Sequence, residues 1–363
     1  MSEHKAKTCY LHIGAEKTGS TSIQAFLKAN RAELADAGYL FPRSPGLDNQ
    51  PALAAYTMGD CSRKNLLAQV GVSNGDQLEA FKKGFAARLK TEVSKASPKN
   101  IILSNEHCHS RIGTAEELGR LASLLLELAE EVRVIFYIRR QDQAATSLYS
   151  TALKVGQSRK KPDLRIAEEL PLAFDYWRTC RLYEDTFGEG SVDVRVFDRS
   201  RLLGGDLMVD FRQATGLPEG RSWKQPKSQN QSLNRLGQRF LAAFNQNRLE
   251  RFGPDAEHYR MALVRMLDKN FEGQGIKPSK QEAQDFLQQF KDGNEAIRQK
   301  YFPEHEAPLF IEDFAKYPDE EQSNWMPRPF MAFDAGARLF IEQQKEIDRL
   351  RAKIKALKAD KGD

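Results

Sequence analysis

The sequence predicts an α/β fold of three αβα layers, a parallel sheet held between helices. Three observations in the 363 residues predict it. Short apolar runs alternate with helical patterns through the first 215 residues, the order that parallel strands and their crossovers require. The runs are apolar at successive positions, as in strands buried on both faces. The first run leads through a glycine-containing turn straight into a helical pattern.

Taken in order, the strands are expected at 9–13, 100–104, 132–138 and 192–197, each short, apolar and often β-branched. Helices are expected at 20–37, 116–131, 141–155 and 203–215. Between 41 and 97 the pattern is weaker, with a turn rich in proline (Pro42, Pro45, Pro51) and an amphipathic stretch at 78–93. Residues 233–301 are polar and helix-rich and read as a helical insertion in a domain spanning 1–330. Residues 302–329, rich in proline and aromatic side chains, read as an irregular closing segment. The tail, 335–360, reads as a charged C-terminal helix, in which Ile347, Leu350, Ile354 and Leu357 make a short a/d seam. Docking on its own domain and pairing with a second copy as a homodimer are both open for that helix.

Composition bounds the function. A hydrophobic fraction of 40% supplies a substantial core, and a net charge of +5 spread along the chain does not call for nucleic acid. Cys9, Cys61, Cys108 and Cys180 lie far apart without a C-x-x-C pair, so neither zinc nor a disulfide framework is expected. The charged start, MSEHKAK, lacks the apolar core of a signal peptide, and no run approaches about 20 apolar residues. A cytoplasmic protein without a transmembrane segment is the expectation.

The most informative stretch is 11–22, LHIGAEKTGSTS. Gly14 and Gly19 keep the glycine spacing of a phosphate-binding P-loop, but its lysine, Lys17, stands two residues before the second glycine instead of directly after it. A strand, a glycine turn and a helix N-terminus together form an anion site from backbone N–H groups and the helix dipole. The fold is therefore P-loop-like, and the signal is for phosphate without an obvious machinery for nucleoside triphosphate hydrolysis. A second anion signal lies at 132–149, where a strand ends in Arg139 and Arg140 and a helix follows. Arg139 and Ser147 are eight residues apart, which puts the serine about two turns into that helix. Ligands gather beyond the C-terminal ends of parallel strands, so Arg139 and the first loop are expected to open toward the same edge. A guanidinium with a hydroxyl suits a terminal phosphate dianion. A third strand end, 101–109 (IILSNEHCH), brings Glu106 and His107 toward that edge. His12, Cys108 and His109 read as packing residues.

The order of these features resembles the sulfotransferases that use 3′-phosphoadenosine 5′-phosphosulfate (PAPS), closest to bacterial carbohydrate-type members. In that family a P-loop-like segment binds the 5′-phosphosulfate, and a later strand–helix element with arginine and serine eight residues apart binds the 3′-phosphate. The stretch Glu16, Lys17, Thr18, Gly19, Ser20, Thr21, Ser22 matches the first, and Arg139 with Ser147 the second. The stretches 195–198 (RVFD), 230–233 (NQSL) and 301–309 also look like that group, and the resemblance spans about 10–314. Glu16 departs from the family pattern, placing a negative charge beside an anion site, so its side chain should point away or pair with a cation.

The resemblance implies PAPS as donor cosubstrate, no metal, and a hydroxyl-bearing acceptor, a glycan or glycolipid. It implies that Lys17 contacts the bridging oxygen and that residues 18–22 (Thr18, Gly19, Ser20, Thr21 and Ser22) hold the 5′-phosphate. Glu106 is the favoured general base and His107 its rival. Tyr149, Trp177 and Trp223 read first as core residues that could supply aromatic surface to the acceptor, and Gln157, Arg159, Lys160 and Lys161 read first as a solvated face that could line the cleft or cover the nucleotide. By analogy, 224–231 falls where the family has a nucleotide-covering loop. Two other readings stay open: an ATP- and Mg²⁺-dependent P-loop kinase, and a non-catalytic nucleotide-binding scaffold assembled through the C-terminal helix.

Overall fold

The computed structural model describes residues 5–159, 161–225, 232–320, 322 and 325–360. The chain divides into two compact units. The first comprises Met1–Ala144, Arg165–Gln229 and Phe286–Glu312, and the second Ala145–Leu164, Asn230–Asp285 and Asp313–Asp363.

The first unit is built on a five-stranded parallel sheet, with β1 Ala6–His12, β2 Tyr39–Leu40, β3 Asn100–Ser104, β4 Ala129–Ile138 and β5 Val192–Val196 in the spatial order β2-β3-β1-β4-β5. Alternate side chains of each strand enter different cores, as the two-residue period dictates. Cys9, Leu11, Ile101, Leu103, Val134, Phe136 and Ile138 pack with the helices Gly75–Ala96, Ala115–Leu128 and Tyr176–Phe187. Ile102, Ile135 and Tyr137 pack with the helices Ser20–Ala29 and Leu207–Ala214. The sheet is thus buried on both faces between two helical layers.

Four of the five strands fall where the apolar runs put them. The fifth, β2, is only two residues long and gives no run to read. Three helix boundaries differ from expectation for identifiable reasons. The helix expected at 20–37 is broken at Asn30, whose side-chain amide donates to Phe26 O and to Lys224 O (2.8 and 2.9 Å). An asparagine that bonds the backbone in this way competes with helix continuation. The helix expected at 116–131 stops at Leu128 because Ala129–Glu131 pair with β1, Ala129 opposite Ala6 and Glu131 opposite Thr8. The Thr8 hydroxyl donates to Glu131 Oε1 (2.7 Å), so tertiary pairing overrides the helical preference of two glutamates. The helix expected from 203 begins at Leu207, where the Asp206 side chain caps the backbone N–H groups of Met208 and Val209.

The second unit is helical. Arg235–Asn245 and Ala256–Asn270 pack around Tyr149, Leu153, Leu241, Leu267 and Phe271. The C-terminal helix runs Pro329–Asp360, beginning earlier than expected, and buries Ala335 and Leu339 in that cluster. The expected insertion at 233–301 is shared, 233–285 lying in the second unit and 286–301 in the first. No helix among the described residues is long and apolar enough to cross a membrane.

Two histidines sit fully buried against the sheet. His12 bonds Ser104 Oγ through Nδ1 (2.8 Å), and His109 lies against the rings of Phe136 and Tyr176. Burial pushes both down from 6.5 to about 3. Because the folded pKa lies below the unfolded one, the unfolded chain takes up the proton first. The stability held by each neutral imidazole is complete above about pH 6.5 and is lost as the pH falls toward 3. Between pH 7 and pH 5 each should cost about 2 kcal/mol of folding stability. His109→Phe, judged by urea midpoints at the two pH values, should remove roughly half of that combined loss; an unchanged difference between the midpoints would contradict it.

Candidate functional site

Three strand ends meet at one edge of the first unit. Because β1 lies between β3 and β4, the segments that leave these strands are neighbours at the C-terminal edge. This is where a parallel sheet offers a crevice. The segment after β1 is fixed from both sides: Ile13 N donates to Ile135 O (3.0 Å), Ala15 N to Tyr137 O (2.8 Å), and His12 O accepts from Asn105 N (3.0 Å).

The loop between Ala15 and Ser20 has the backbone of an anion cradle. Lys17 has φ 70° and Gly19 has φ 84°, both left-handed. A lysine in that region is strained, and such strain gathers at functional sites. Thr18 is buried and its hydroxyl donates to Ala15 O (2.6 Å), closing the turn from within. Gly19 is the N-cap of the helix Ser20–Ala29 and brings no side chain to its first N–H groups. Ser22 N and Ile23 N donate to Gly19 O (2.9 and 3.1 Å), which leaves the N–H groups of Ser20 and Thr21 at the positive end of the helix dipole, where an anion is favoured. The Ser20 hydroxyl is buried with no hydrogen-bond partner among the described residues. Thr21 is exposed and Ser22 half-buried on the first turn.

Both glycines are required by space as well as by spacing. A Cβ on Gly14 would lie 2.6 Å from His12 Nε2, so the buried ring occupies the place of a side chain there. A Cβ on Gly19 would collide with Leu207 Cδ2 and crowd the Phe197 ring.

Arg139 turns onto this loop. Its Nη1 donates to Lys17 O (3.3 Å), its Nε to Gln143 Oε1 (3.3 Å), and its guanidinium stands over the Phe197 ring at 6.0 Å. Its own carbonyl accepts from Tyr176 Oη (2.8 Å). Arg140 faces the interior instead, paired with Asp142 through two bonds (2.7 and 2.9 Å) and bonded to Ile311 O (2.6 Å). The neighbouring arginines therefore divide the work: Arg140 fastens the strand end and Arg139 faces the loop. Ser147 lies on the helix Gln141–Lys154, half-buried, and belongs to the second unit.

Glu106 begins the turn into the short helix His107–Arg111, and its Oε2 accepts from Gln24 Nε2 (2.9 Å). Gln24 is buried, on the helix that follows the loop. His107 is largely enclosed, its Nδ1 without a partner among the described residues, and burial lowers its pKa against the opposing pull of the Glu106 charge. The departure at Glu16 finds its cation, with Arg111 Nη2 3.9 Å from Glu16 Oε1. Gln24, Arg111 and Phe197 were not singled out from the sequence. Gln24 had a readable signal, a polar residue on the apolar face formed by Ile23, Phe26 and Leu27.

The aromatic candidates lie in cores. Trp223 packs on Phe26 (5.8 Å) and donates to Pro218 O, Trp177 packs against the first core, and Tyr149 is buried with its hydroxyl on Arg159 O. Lys224 pairs with Glu33, Arg159 with Asp163 and Lys161 with Glu282. Lys160 and residues 226–231, which include Asn230 and Gln231, lie outside the described residues.

Two substitutions separate strain from fit. Gly19→Ala should destabilise by about 3 kcal/mol, through the left-handed backbone and the clash with Leu207. Lys17→Gly should be neutral or raise stability by about 1 kcal/mol. Chemical denaturation measures both, and a loss above about 1 kcal/mol for Lys17→Gly would show that the lysine is not strained.

No protein-family model matches the chain. A curated protein of Archaeoglobus fulgidus, described as uncharacterized, is 28% identical over 195 residues, 52% of each chain. The chain thus spans about half the length of the curated relative it matches. Among solved structures, the crystal structure of a sulfotransferase from Alicyclobacillus acidocaldarius is similar over 71% of this chain and 96% of its own, with a TM-score of 0.37 and 14% identity. Likeness at that level assigns no activity; the functional reading rests on the residues.

Proposed function

We propose that the chain is a sulfotransferase that moves a sulfuryl group from PAPS to a hydroxyl of a carbohydrate or glycolipid. The observation that carries this reading is the pairing of two anion-seeking elements at one sheet edge: a strained loop with its lysine displaced from the ATPase position, and an arginine that donates to that lysine's carbonyl. The sequence resemblance supplies the chemistry for which such a pair is suited.

In this reading the backbone of the first helical turn and the hydroxyls of Ser20, Thr21 and Ser22 hold the 5′-phosphate, while the Thr18 hydroxyl stays on Ala15 O and keeps the turn closed. Ser20, buried and without a hydrogen-bond partner among the described residues, is a donor suited to such an oxygen. Arg139 takes the 3′-phosphate, and Ser147 joins it on the strength of the sequence motif alone. The acceptor oxygen forms a bond to sulfur as the bond from sulfur to the bridging oxygen breaks. The proton of the acceptor hydroxyl passes to Glu106. The electron pair stays on the bridging oxygen of the departing adenosine 3′,5′-bisphosphate, where the Lys17 ammonium stabilises the growing charge.

Gln24 orients the Glu106 carboxylate and uses one oxygen, leaving the other for the proton. Glu16, held toward Arg111, keeps its charge from acting alone beside the anions. His107, whose pKa burial lowers, is the competing base.

Transfer of labelled sulfate from PAPS to a glycan panel tests the reading. Lys17→Ala should lower turnover by about 10²–10³-fold, and near-normal turnover would remove the lysine from the mechanism. Arg139→Ala should weaken PAPS about 10–100-fold while barely changing adenosine 5′-phosphosulfate, which lacks the 3′-phosphate; equal weakening would refute the assignment. Glu106→Gln should keep donor affinity and lose about 10²–10⁴-fold in rate. If His107→Ala is the damaging change instead, the base is the histidine.

A further inference from the structure

Within the second unit, the C-terminal helix packs through one face and leaves an adjacent face exposed. Ala335 and Leu339 are buried against the cluster of Leu241, Leu267 and Phe271, and Glu342 pairs with Lys269. The neighbouring face carries Phe333, Phe340, Ile347 and Ile354 at intervals of seven, with Leu350 and Leu357 each three residues beyond an isoleucine. Phe340 is 67% exposed, Leu350 47%, Ile354 55% and Leu357 52%. A row of large apolar side chains on one line of a helix is not a solvated surface. It has the a/d spacing of a coiled-coil seam, with Phe340, Ile347 and Ile354 at a and Gln343, Leu350 and Leu357 at d.

We propose that this seam pairs with the same seam of a second copy, in antiparallel orientation. The occupant follows from self-complementarity and the direction from charge. In the antiparallel register that sets Ile347 against Leu350 of the second copy, Phe340 meets Leu357, and both contacts repeat by the two-fold axis. In that register Glu346 lies across from Lys353 of the second copy, twice per dimer, and Gln344 across from Arg351, with no like charges opposed. A parallel in-register pair gains Glu346 against Arg351 but sets Lys353 against position 358, also a lysine in the sequence. The antiparallel pair keeps every flanking contact attractive or neutral, and flanking charges set orientation in such seams.

Sedimentation equilibrium of the full chain over a wide concentration range tests the proposal. The mass should rise toward twice that of the single chain. Leu350→Glu combined with Ile354→Glu should hold it at the single-chain mass with unchanged thermal midpoint, since both side chains are exposed in one copy. Direction is read by disulfide cross-linking in a Cys61→Ser background, the other cysteines being buried. Leu357→Cys alone should not cross-link, because its two copies lie about 25 Å apart along the axis at about 1.5 Å per residue. Phe340→Cys with Leu357→Cys should cross-link efficiently. A single-chain mass at every concentration, a dimer that survives the paired glutamates, or efficient cross-linking of Leu357→Cys alone would each overturn the proposal.

Discussion

The site depends on the register of three parallel strands. With β1 hydrogen-bonded to β3 on one side and β4 on the other, the backbone beyond His12 has neighbours on both sides. The bonds from Ile13 and Ala15 to β4, and from Asn105 back to His12, carry the ladder past the end of β1. The loop therefore starts from a fixed position and direction. A left-handed lysine is costly in a free chain, whereas the left-handed glycine is not, and anchored ends let the turn persist. The same register brings Glu106 and Arg139 to the two flanks of that loop without any long connection.

Burial around this edge sorts side chains by role. Arg140 and Asp142 are buried together as a bonded pair, which holds the strand end and neutralises both charges. Arg139 is half-buried and reaches the loop carbonyl. The His12 ring sits beneath Gly14, where it excludes a side chain and stays neutral. Burial likewise pushes the Cys9 thiol up to about 12, which leaves it a packing residue.

The parts of this architecture legible in the sequence are those written in local pattern. Apolar runs gave four strands, and the glycines with Lys17 gave the loop. The motif at 139–147 singled out Arg139 from its neighbour Arg140, whose role as an internal ion pair no local pattern reveals. What escaped is tertiary. Asn30 breaks its helix by bonding Lys224 O, 194 positions away, and Glu131 joins a strand because Thr8 lies opposite. Gln24 reaches Glu106 across 82 positions, and Glu16 meets Arg111 only after folding. The expectation that Glu16 needs a cation could be stated from charge, but not which cation.

The loop and Arg139 are proposed to form a site for a nucleotide carrying both 5′- and 3′-phosphates. Calorimetric titration of the full chain with adenosine 3′,5′-bisphosphate, ATP and ADP, each with and without Mg²⁺, decides the matter. The bisphosphate should bind most tightly, with equal affinity in the presence and absence of the metal. Tighter binding of ATP that appears only with Mg²⁺ would contradict the claim and turn the same loop into that of a kinase.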